Sequence, residues 1–307
     1  MITSKYRAQA DLLLRIVPYV AKEEIFALKG GSAINLFVRD MPRLSVDLDL
    51  TYLPLDTRNT ALKNIHEALA NIKNDLQMAI KGITVQAVAA HSETDVKLNC
   101  QFKDAQIKIE VNTITRGHIF PVRLKPLTDK VQREFGKFAA INIVSHAELY
   151  GGKICAALDR QHPRDLFDVQ ILFDNEGFSD EVRLGLIVSL LSHYKPVYEL
   201  LNPVLKEQKP AFERQFSGMS ALAFNYDNYE FTRSRLIDET NKWLTKENKE
   251  LIFSFENGAP DWELFPYKII KELPAVQWKL LNIRKLRKEN LKKHKKLMDA
   301  LEKVLYA

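Results

Sequence analysis

The sequence predicts an α+β protein in which a mixed sheet with flanking helices, over residues 1–140, is followed by a mainly helical region over 141–307. Two observations predict the sheet. The segments 46–50 and 107–112 alternate apolar and polar residues with period two, as strands do. Between them, the apolar residues of 57–80 recur with helical spacing. In the last third of the chain helical spacing dominates, which predicts the second region.

Length and composition indicate a protein with a substantial core. The 307 residues are 46% hydrophobic, enough for one large or two modest domains. Cys100 and Cys155 lie in apolar surroundings and no Cys-x-x-Cys pair occurs, which disfavours a zinc site or a disulfide framework. The N-terminal segment lacks a signal-peptide pattern, and no apolar run approaches the roughly 20 residues that span a bilayer. We therefore expect a cytoplasmic protein without a membrane anchor, in a compartment that keeps thiols reduced.

Positive charge is concentrated near the C-terminus. The chain has a formal net charge of +6 and a pI near 9.1, which favours a polyanionic partner. After Pro274, residues 275–305 show helical spacing and predict one long helix. Between Lys279 and Lys303, that predicted helix carries eight further basic residues, Arg284, Lys285, Arg287, Lys288, Lys292, Lys293, Lys295 and Lys296.

A glycine turn in the N-terminal third predicts an anion-binding site. The apolar segment 25–28 is typical of a strand, and Gly30, Gly31 and Ser32 follow it. We expect Ser32 to cap the helix that comes next. Such a turn leaves backbone N–H groups facing an anion, and the helix dipole favours negative charge there. Taken alone, a turn of this kind usually binds nothing.

Two aspartates on the next predicted strand are candidate metal ligands. Asp47 and Asp49 alternate with apolar residues, so both carboxylates lie on one strand face. Their mutual repulsion favours a cation between them, and hard oxygen ligands suit Mg²⁺. The preceding loop brings Arg43 and Ser45 beside them, where Arg43 either steers a triphosphate or neutralises the acids. A phosphate cradle near a divalent-metal site is what nucleotidyl transfer from a nucleoside triphosphate requires.

Three further strands are predicted at 83–88, 96–102 and 107–112, the last two joined as a hairpin. Glu110 lies on the polar face of the third. If that strand pairs beside the aspartates, Glu110 completes a three-carboxylate metal site; otherwise it is an ordinary polar residue. The basic segment 115–137 contains two prolines, which predict an irregular or edge-strand path.

A helix is predicted over 146–160, with Ser145 as its N-cap. It contains Gly151 and Gly152 immediately before Lys153. Two glycines inside a helix cost about 1 kcal/mol each relative to alanine. Their presence indicates a close backbone approach, either to the sheet or to a nucleotide.

A second helix is predicted over 164–173, starting after Pro163. Arg164, Asp165 and Asp168 fall on one side of it. These residues either shape a nucleotide pocket or form ion pairs, Arg164–Asp165 or Arg160–Asp168, that hold two helices together.

Together these segments resemble the polymerase-beta-like nucleotidyltransferase superfamily, whose pattern is a Gly-Gly or Gly-Ser turn, a helix, and Asp-x-Asp on the next strand. Within it, the chain resembles the AbiEii/AbiGii toxin family, which includes the MenT toxins. The likeness covers roughly residues 20–175, and the C-terminal half resembles no family that we can name. The matching elements are Gly30-Gly31-Ser32, Arg43-Leu44-Ser45-Val46-Asp47-Leu48-Asp49, Lys108-Ile109-Glu110 and Lys153-x-x-Ala156-x-x-x-Arg160-x-x-x-Arg164-Asp165-x-x-Asp168.

The resemblance implies an enzyme that uses a nucleoside triphosphate (NTP) as donor, releases pyrophosphate, and depends on two Mg²⁺ ions, with Mn²⁺ as a possible substitute. Its metal ligands would be Asp47, Asp49 and Glu110. Its catalytic residues would be the two aspartates with Lys153 and Asp168. Its nucleotide-binding residues would be Gly30, Gly31, Ser32, Arg43, Ser45, Lys153, Arg164 and Asp165.

The resemblance also implies a biological role. Characterised relatives modify the 3′ end of tRNA, which blocks aminoacylation and translation, so the protein would be a growth-arresting toxin with a cognate antitoxin. In some relatives a kinase-like antitoxin phosphorylates a residue matching Ser45, although a turn hydroxyl is the simpler interpretation here. The basic C-terminal residues would grip the acceptor-stem phosphates. Their alternatives are a solvated helix face or a site for an acidic antitoxin.

Two other functions stay open at this point. A small-molecule nucleotidyltransferase of the aminoglycoside-modifying type shares the glycine and Asp-x-Asp elements, but the basic C-terminus and the element over 153–168 argue against it. A non-catalytic relative that binds RNA or antitoxin is disfavoured because three carboxylates are retained. No motif chooses among the four NTPs or identifies the acceptor RNA.

Overall fold

The computed structural model describes residues 4–89 and 95–306. The chain forms two compact units, one made of residues 1–145 with 216–223, the other of 146–215 with 224–307. The first contains the sheet and the second is helical, which confirms the predicted α+β class. Within the described ranges, no helix is both long and apolar enough to cross a membrane.

A seven-stranded mixed sheet, in the order β3-β4-β5-β2-β1-β7-β6, forms the first unit. Strand β2 runs parallel to β5 and β1 parallel to β7, while the other neighbours are antiparallel. The predicted strands are all present, with ends shifted by no more than two residues. The strands are β1 Phe26–Lys29, β2 Asp47–Tyr52, β3 Thr84–Ala89, β4 Asp95–Phe102, β5 Ala105–Asn112, β6 Arg123–Pro126 and β7 Ala140–Ile143.

Four helices accompany the sheet in the described part of this unit. They are α1 Ser4–Val20, α2 Gly30–Ala33, which continues as a π-helical turn over Ile34–Val38, α3 Arg58–Ala79 and α4 Asp129–Phe135. Helix α3 confirms the prediction for 57–80, and the hydroxyl of Thr57 caps it by accepting from the Thr60 N–H. The basic segment 115–137 contains β6, an edge strand, as its prolines predicted.

The second unit contains nine α-helices in its described residues. They are α5 His146–Arg160, α6 Pro163–Asn175, α7 Asp180–Ser192, α8 Val197–Leu201, α9 Lys209–Ala211, α10 Tyr226–Trp243, α11 Lys246–Glu256, α12 Pro274–Glu289 and α13 Leu291–Tyr306. The predicted single helix over 275–305 is therefore wrong. Asn290 leaves the helical conformation, with φ −146° and ψ 73°. Its side-chain oxygen accepts from the Lys293 N–H, so the residue ends one helix and caps the next.

The apolar spacing of residues 262–273 favours a helix, but the structure has two short 3₁₀ turns there, Trp262–Leu264 and Lys268–Glu272. Pro266 lies between them. Because proline has no N–H to donate and clashes with the preceding turn, it interrupts the helix that the apolar spacing predicts.

The glycines of α5 allow a close helix crossing. A Cβ atom on Gly151 would overlap the backbone of Gly185 on α7, and one on Gly185 would overlap the carbonyl group of Ala147 on α5. The predicted close backbone approach is thus confirmed for Gly151, and its partner is a helix rather than the sheet or a nucleotide. A Cβ atom on Gly152 would lie 3.8 Å from Oγ of Ser189, an ordinary contact. Gly185 carried no signal in the sequence, because a glycine within an apolar helix is not informative by itself.

Both cysteines are free and buried, Cys100 on β4 and Cys155 on α5. Burial raises the pKa of each thiol to about 12. The thiols therefore stay protonated at neutral pH and pack as small apolar side chains.

Candidate functional site

Strand β1 ends in a glycine turn that leads directly into α2. Gly30 has φ 72°, a left-handed conformation that glycine adopts without strain. Helix α2 begins at Gly30 with Lys29 at the N-cap position, so the predicted N-cap role of Ser32 is wrong. Ser32 instead lies buried within the helix, and its hydroxyl donates to the backbone carbonyl of Asp47, 3.0 Å from the hydroxyl of Ser45. The start of the helix is thereby tied to the start of β2.

The two glycines leave room for functional side chains. A Cβ atom on Gly30 would lie 2.5 Å from Oδ2 of Asp49. One on Gly31 would lie 2.7 Å from Nη2 of Arg43 and 3.1 Å from Oγ of Ser45. The backbone of the turn therefore lies directly against the carboxylate of Asp49 and the buried guanidinium of Arg43. The glycine turn and the acidic strand adjoin, as the sequence predicted.

Strand register aligns four charged residues across the sheet. Lys29 on β1 lies opposite Asp49 on β2, Asp49 opposite Glu110 on β5, and Glu110 opposite Lys97 on β4. Paired residues of neighbouring strands project to the same face, so these four residues form one row, which we call the transverse row. Asp47, two residues before Asp49, lies on the same face. Glu110 thus stands beside the aspartates, as the predicted strand pairing required.

Glu110 is bound by a lysine that sequence reasoning missed. The ammonium of Lys97 lies 3.0 Å from Oε1 of Glu110, and both side chains are about one third exposed, at 31% and 32%. A signal for this contact was present in the turn between β4 and β5. Lys103 and Asp104 form a two-residue hairpin loop that sets Phe102 opposite Ala105. Counting outward along the two strands brings Lys97 opposite Glu110.

The carboxylates of this face fit a divalent metal ion in part. Asp47 and Asp49 offer hard oxygen ligands on one half-exposed strand face, as Mg²⁺ requires. Glu110 is in register with Asp49, but Lys97 binds it. Across residues 4–89 and 95–306, no group of three or more His, Cys, Asp or Glu side chains is arranged to hold a metal. The aspartate pair therefore fits a metal by its chemistry, whereas one carboxylate oxygen of Glu110, Oε1, is already paired with Lys97.

A segment distant in the sequence pairs with the loop that carries Arg43. The Leu44 N–H donates to the Met219 carbonyl at 2.9 Å, and the Ala221 N–H to the Pro42 carbonyl at 3.1 Å. Arg43 forms an isolated β-bridge with Ser220. Residues 216–223 therefore fix the backbone of this loop within the first unit. No sequence pattern predicted this, because the pairing is non-local and only a few residues long.

In the second unit, Lys153 forms a buried cluster with two predicted site residues. Its ammonium lies 2.8 Å from Oδ1 of Asp165 and 3.1 Å from Oδ2 of Asp168. Arg160 adds two bonds to Asp165, at 2.5 and 3.0 Å. Burial alone would raise the pKa of the Asp165 carboxyl, but the charges of Lys153 and Arg160 outweigh it and hold the pKa below its usual range. Arg164 is half-buried near the start of α6, where its backbone N–H donates to Nδ1 of the His162 ring.

The eight basic residues near the C-terminus are all exposed, on α12 and α13. Arg284 and Arg287 also donate to the backbone carbonyls of Gly258 and Asn257, at 2.9 and 2.8 Å, and so stabilise the loop after α11. The other six are lysines whose side chains reach solvent, as binding to a polyanion requires.

Comparison with known proteins adds family and fold. A sequence model described as nucleotidyl transferase AbiEii toxin, type IV toxin–antitoxin system, matches residues 11–282. No curated protein matches the chain. Among solved structures, MenT4, a nucleotidyltransferase toxin from Mycobacterium tuberculosis H37Rv, is similar, with a TM-score of 0.60 and 14% identity over 91% of this chain and 93% of that chain. At this identity the likeness shows the fold. All eight basic residues near the C-terminus, from Arg284 onward, lie beyond the family match.

Proposed function

We propose a function that starts from one finding: the chain belongs to the AbiEii family of nucleotidyltransferase toxins of type IV toxin–antitoxin systems. It would transfer a nucleoside monophosphate from an NTP to the 3′ end of an RNA. The acceptor that we favour is the tRNA acceptor stem, whose modification would block aminoacylation and hence translation. A type IV system implies an antitoxin as partner. The reaction would take place in the cytoplasm, where tRNA and NTPs are available.

One observation carries this proposal: the backbone of Gly30 lies against the carboxylate of Asp49. Nucleotidyl transfer needs a phosphate cradle and a metal-binding carboxylate within a few ångströms of each other. The helix that starts at Gly30 aims its first N–H groups out of its N-terminus, where the helix dipole favours a phosphate. The adjacency of Gly30 and Asp49 at the end of β1 supports both requirements.

The chain's own groups would divide the work at this face. The N–H groups of Gly31 and Ser32 would receive the β- and γ-phosphates, and the guanidinium of Arg43, held beside Gly31, would offset their charge. The Ser32 hydroxyl donates a hydrogen bond to the backbone carbonyl of Asp47, so the contribution of Ser32 to phosphate binding would be its backbone N–H. Ser45, whose hydroxyl lies 3.0 Å from that of Ser32, would keep the surroundings of the phosphates polar.

Asp47, Asp49 and Glu110 would hold the divalent metal ions, Mg²⁺ or Mn²⁺. When bound there, the ions would activate the acceptor hydroxyl and offset charge on the phosphates. The three carboxylates would orient the ions on a face whose strands fix their spacing by register.

Lys153 and Asp168 as catalytic residues, and Arg164 and Asp165 as nucleotide contacts, rest on the family resemblance. In the structure the ammonium of Lys153 already pairs with two buried carboxylates. That arrangement supports a role in holding α5 and α6 together in addition to any contact with the nucleotide.

RNA binding would use the exposed lysines near the C-terminus. Reversing the charge of Lys292, Lys293, Lys295 and Lys296 together should weaken tRNA binding and reduce the slope of log affinity against log salt by roughly 0.7–0.9 for each lost phosphate contact. Affinity can be measured by filter binding between 50 and 200 mM salt. An unchanged affinity at low salt would exclude these lysines from the RNA contact and leave them as a solvated face or an antitoxin site.

The whole proposal is tested by incubating the purified protein with total RNA, Mg²⁺ and each α-labelled NTP in turn. We expect one NTP to label an RNA band of tRNA size, and the Asp47→Ala protein to label none. If no RNA is labelled with any NTP, the RNA-modifying function is wrong and the small-molecule alternative gains weight.

A further inference from the structure

The transverse row balances its own charge without a metal. Two acids occupy its centre, Asp49 and Glu110, and a lysine stands at each end, Lys29 and Lys97. Neighbouring strands lie about 4.8 Å apart, and like charges directly opposite one another destabilise a sheet. The ammonium of Lys97, 3.0 Å from Glu110, offsets that repulsion on the β5 side.

We propose that the ammonium of Lys97 binds the carboxylate of Glu110 in the metal-free protein and competes with a divalent metal ion for that carboxylate. The inference rests on the proposed function, because it takes this face as the metal-binding face. It explains why Asp47, Asp49 and Glu110 share a sheet face and yet do not form a three-carboxylate group in the described structure.

The burial of the pair suits exchange of partners. Both side chains are about one third exposed, so a lysine displaced from Glu110 moves into water rather than into a dry interior. Antiparallel register fixes the Cα atom of Lys97 opposite Glu110, so the ammonium stays close enough to return when the metal leaves. Lys97 would therefore lower the affinity for metal while keeping the metal-free face stable.

The test measures metal binding alone, with neither nucleotide nor RNA present. The purified protein is titrated with Mn²⁺, and the concentration of free Mn²⁺ is measured from its electron paramagnetic resonance signal. We expect Lys97→Met to bind Mn²⁺ about fivefold more tightly than the wild type, the factor that a partly exposed ion pair supports. Lys63→Met is the matched control, since Lys63 forms an exposed ion pair with Glu67 on α3, at 3.8 Å, and the Mn²⁺ affinity of this variant should equal that of the wild type.

A second background separates local competition from a general loss of positive charge. In Glu110→Gln protein, adding Lys97→Met should change Mn²⁺ affinity no further, because the shared carboxylate is gone. A gain of the same size in that background would overturn the proposal, since the effect would then come from net charge. Equal or weaker Mn²⁺ binding by Lys97→Met, or no Mn²⁺ binding by any of these proteins, would overturn it as well.

Lys97→Arg keeps the proposal testable if the methionine variant folds poorly, because arginine retains the cation and should retain the wild-type Mn²⁺ affinity within about twofold. A fivefold gain for Lys97→Arg would contradict competition by charge. Failure of the proposed function would give a different result. The protein would label no RNA, yet Lys97→Met would still raise the Mn²⁺ affinity and Glu110→Gln would still abolish that gain, so competition between Lys97 and the metal would stand.

Discussion

The two units each combine a lysine with two carboxylates, but at different depths. In the sheet unit, Lys97 and Glu110 are about one third exposed, with Asp49 beside them. In the helical unit, the side chains of Lys153, Asp165 and Asp168 are 5%, 1% and 1% exposed. A half-exposed ion pair contributes little to stability and can exchange partners with a ligand. A buried one cannot lose a partner without leaving a charge unsolvated.

This difference suggests a division of work. The sheet face has the accessibility that metal and phosphate chemistry need, while the buried cluster of Lys153, Asp165 and Asp168 holds α5 and α6 together.

The largest expected effect is on stability, at the buried cluster. Lys153→Met removes one partner of Asp168 and one partner of Asp165, so it should lower the free energy of unfolding by about 3–5 kcal/mol. Lys97→Met, at the exposed pair, should lower it by less than about 1 kcal/mol. Urea unfolding followed by circular dichroism measures both. Adding Asp168→Asn to Lys153→Met should recover part of the loss, and equal losses for the two lysine variants would contradict the comparison.

The next effect is on activity, at the sheet face. Gly30→Ala places a Cβ atom 2.5 Å from Oδ2 of Asp49 and should lower the rate of nucleotide transfer about 100-fold by displacing that carboxylate. Gly136→Ala is the matched control: Gly136 also has a left-handed φ, 60°, and a Cβ atom there meets nothing within 4 Å. If both variants lose the same activity, backbone strain rather than the collision with Asp49 is responsible.

The smallest effect is a pH dependence. The folded-state pKa of Asp165 lies below the roughly 3.9 expected for the unfolded chain, because the charges of Lys153 and Arg160 outweigh its burial. Its stabilising contribution is therefore fully present above about pH 5 and is lost as pH falls through the unfolded value toward the folded one. Asp165→Asn should flatten the fall in unfolding free energy between about pH 5 and pH 3, by at most about 1.4 kcal/mol per pH unit. Parallel curves for the variant and the wild type would rule this out.

The sequence predicted the elements better than the contacts between them. Period-two alternation located β2 and β5, and Gly30 and Gly31 located the turn between β1 and α2, because these signals are local. Ser32 shows the limit: a serine after two glycines is typical of an N-cap, but a left-handed Gly30 starts the helix two residues earlier. Asn290 shows another, since the apolar spacing of 275–305 continues across the break between α12 and α13.

The residues that the sequence analysis did not predict differ in whether the sequence contains a signal for their contacts. Lys97 was predictable, because the two-residue loop at Lys103 fixes the register of the whole hairpin. The pairing of residues 216–223 with the Arg43 loop was not, since nothing local to either segment encodes it. The partner of Gly151 on α7 likewise depends on how helices pack, which apolar periodicity does not specify.

The most direct test of the account is the rate at which Asp47→Ala protein transfers α-labelled nucleotide to RNA, relative to the wild type. Asp47 lies half-exposed on the sheet face, so its loss should leave the urea midpoint almost unchanged. We expect the transfer rate to fall by about 10³-fold or more, because a metal-binding carboxylate contributes several kcal/mol of transition-state stabilisation. Full transfer activity in a folded Asp47→Ala protein would contradict the assignment of the sheet face as the catalytic site.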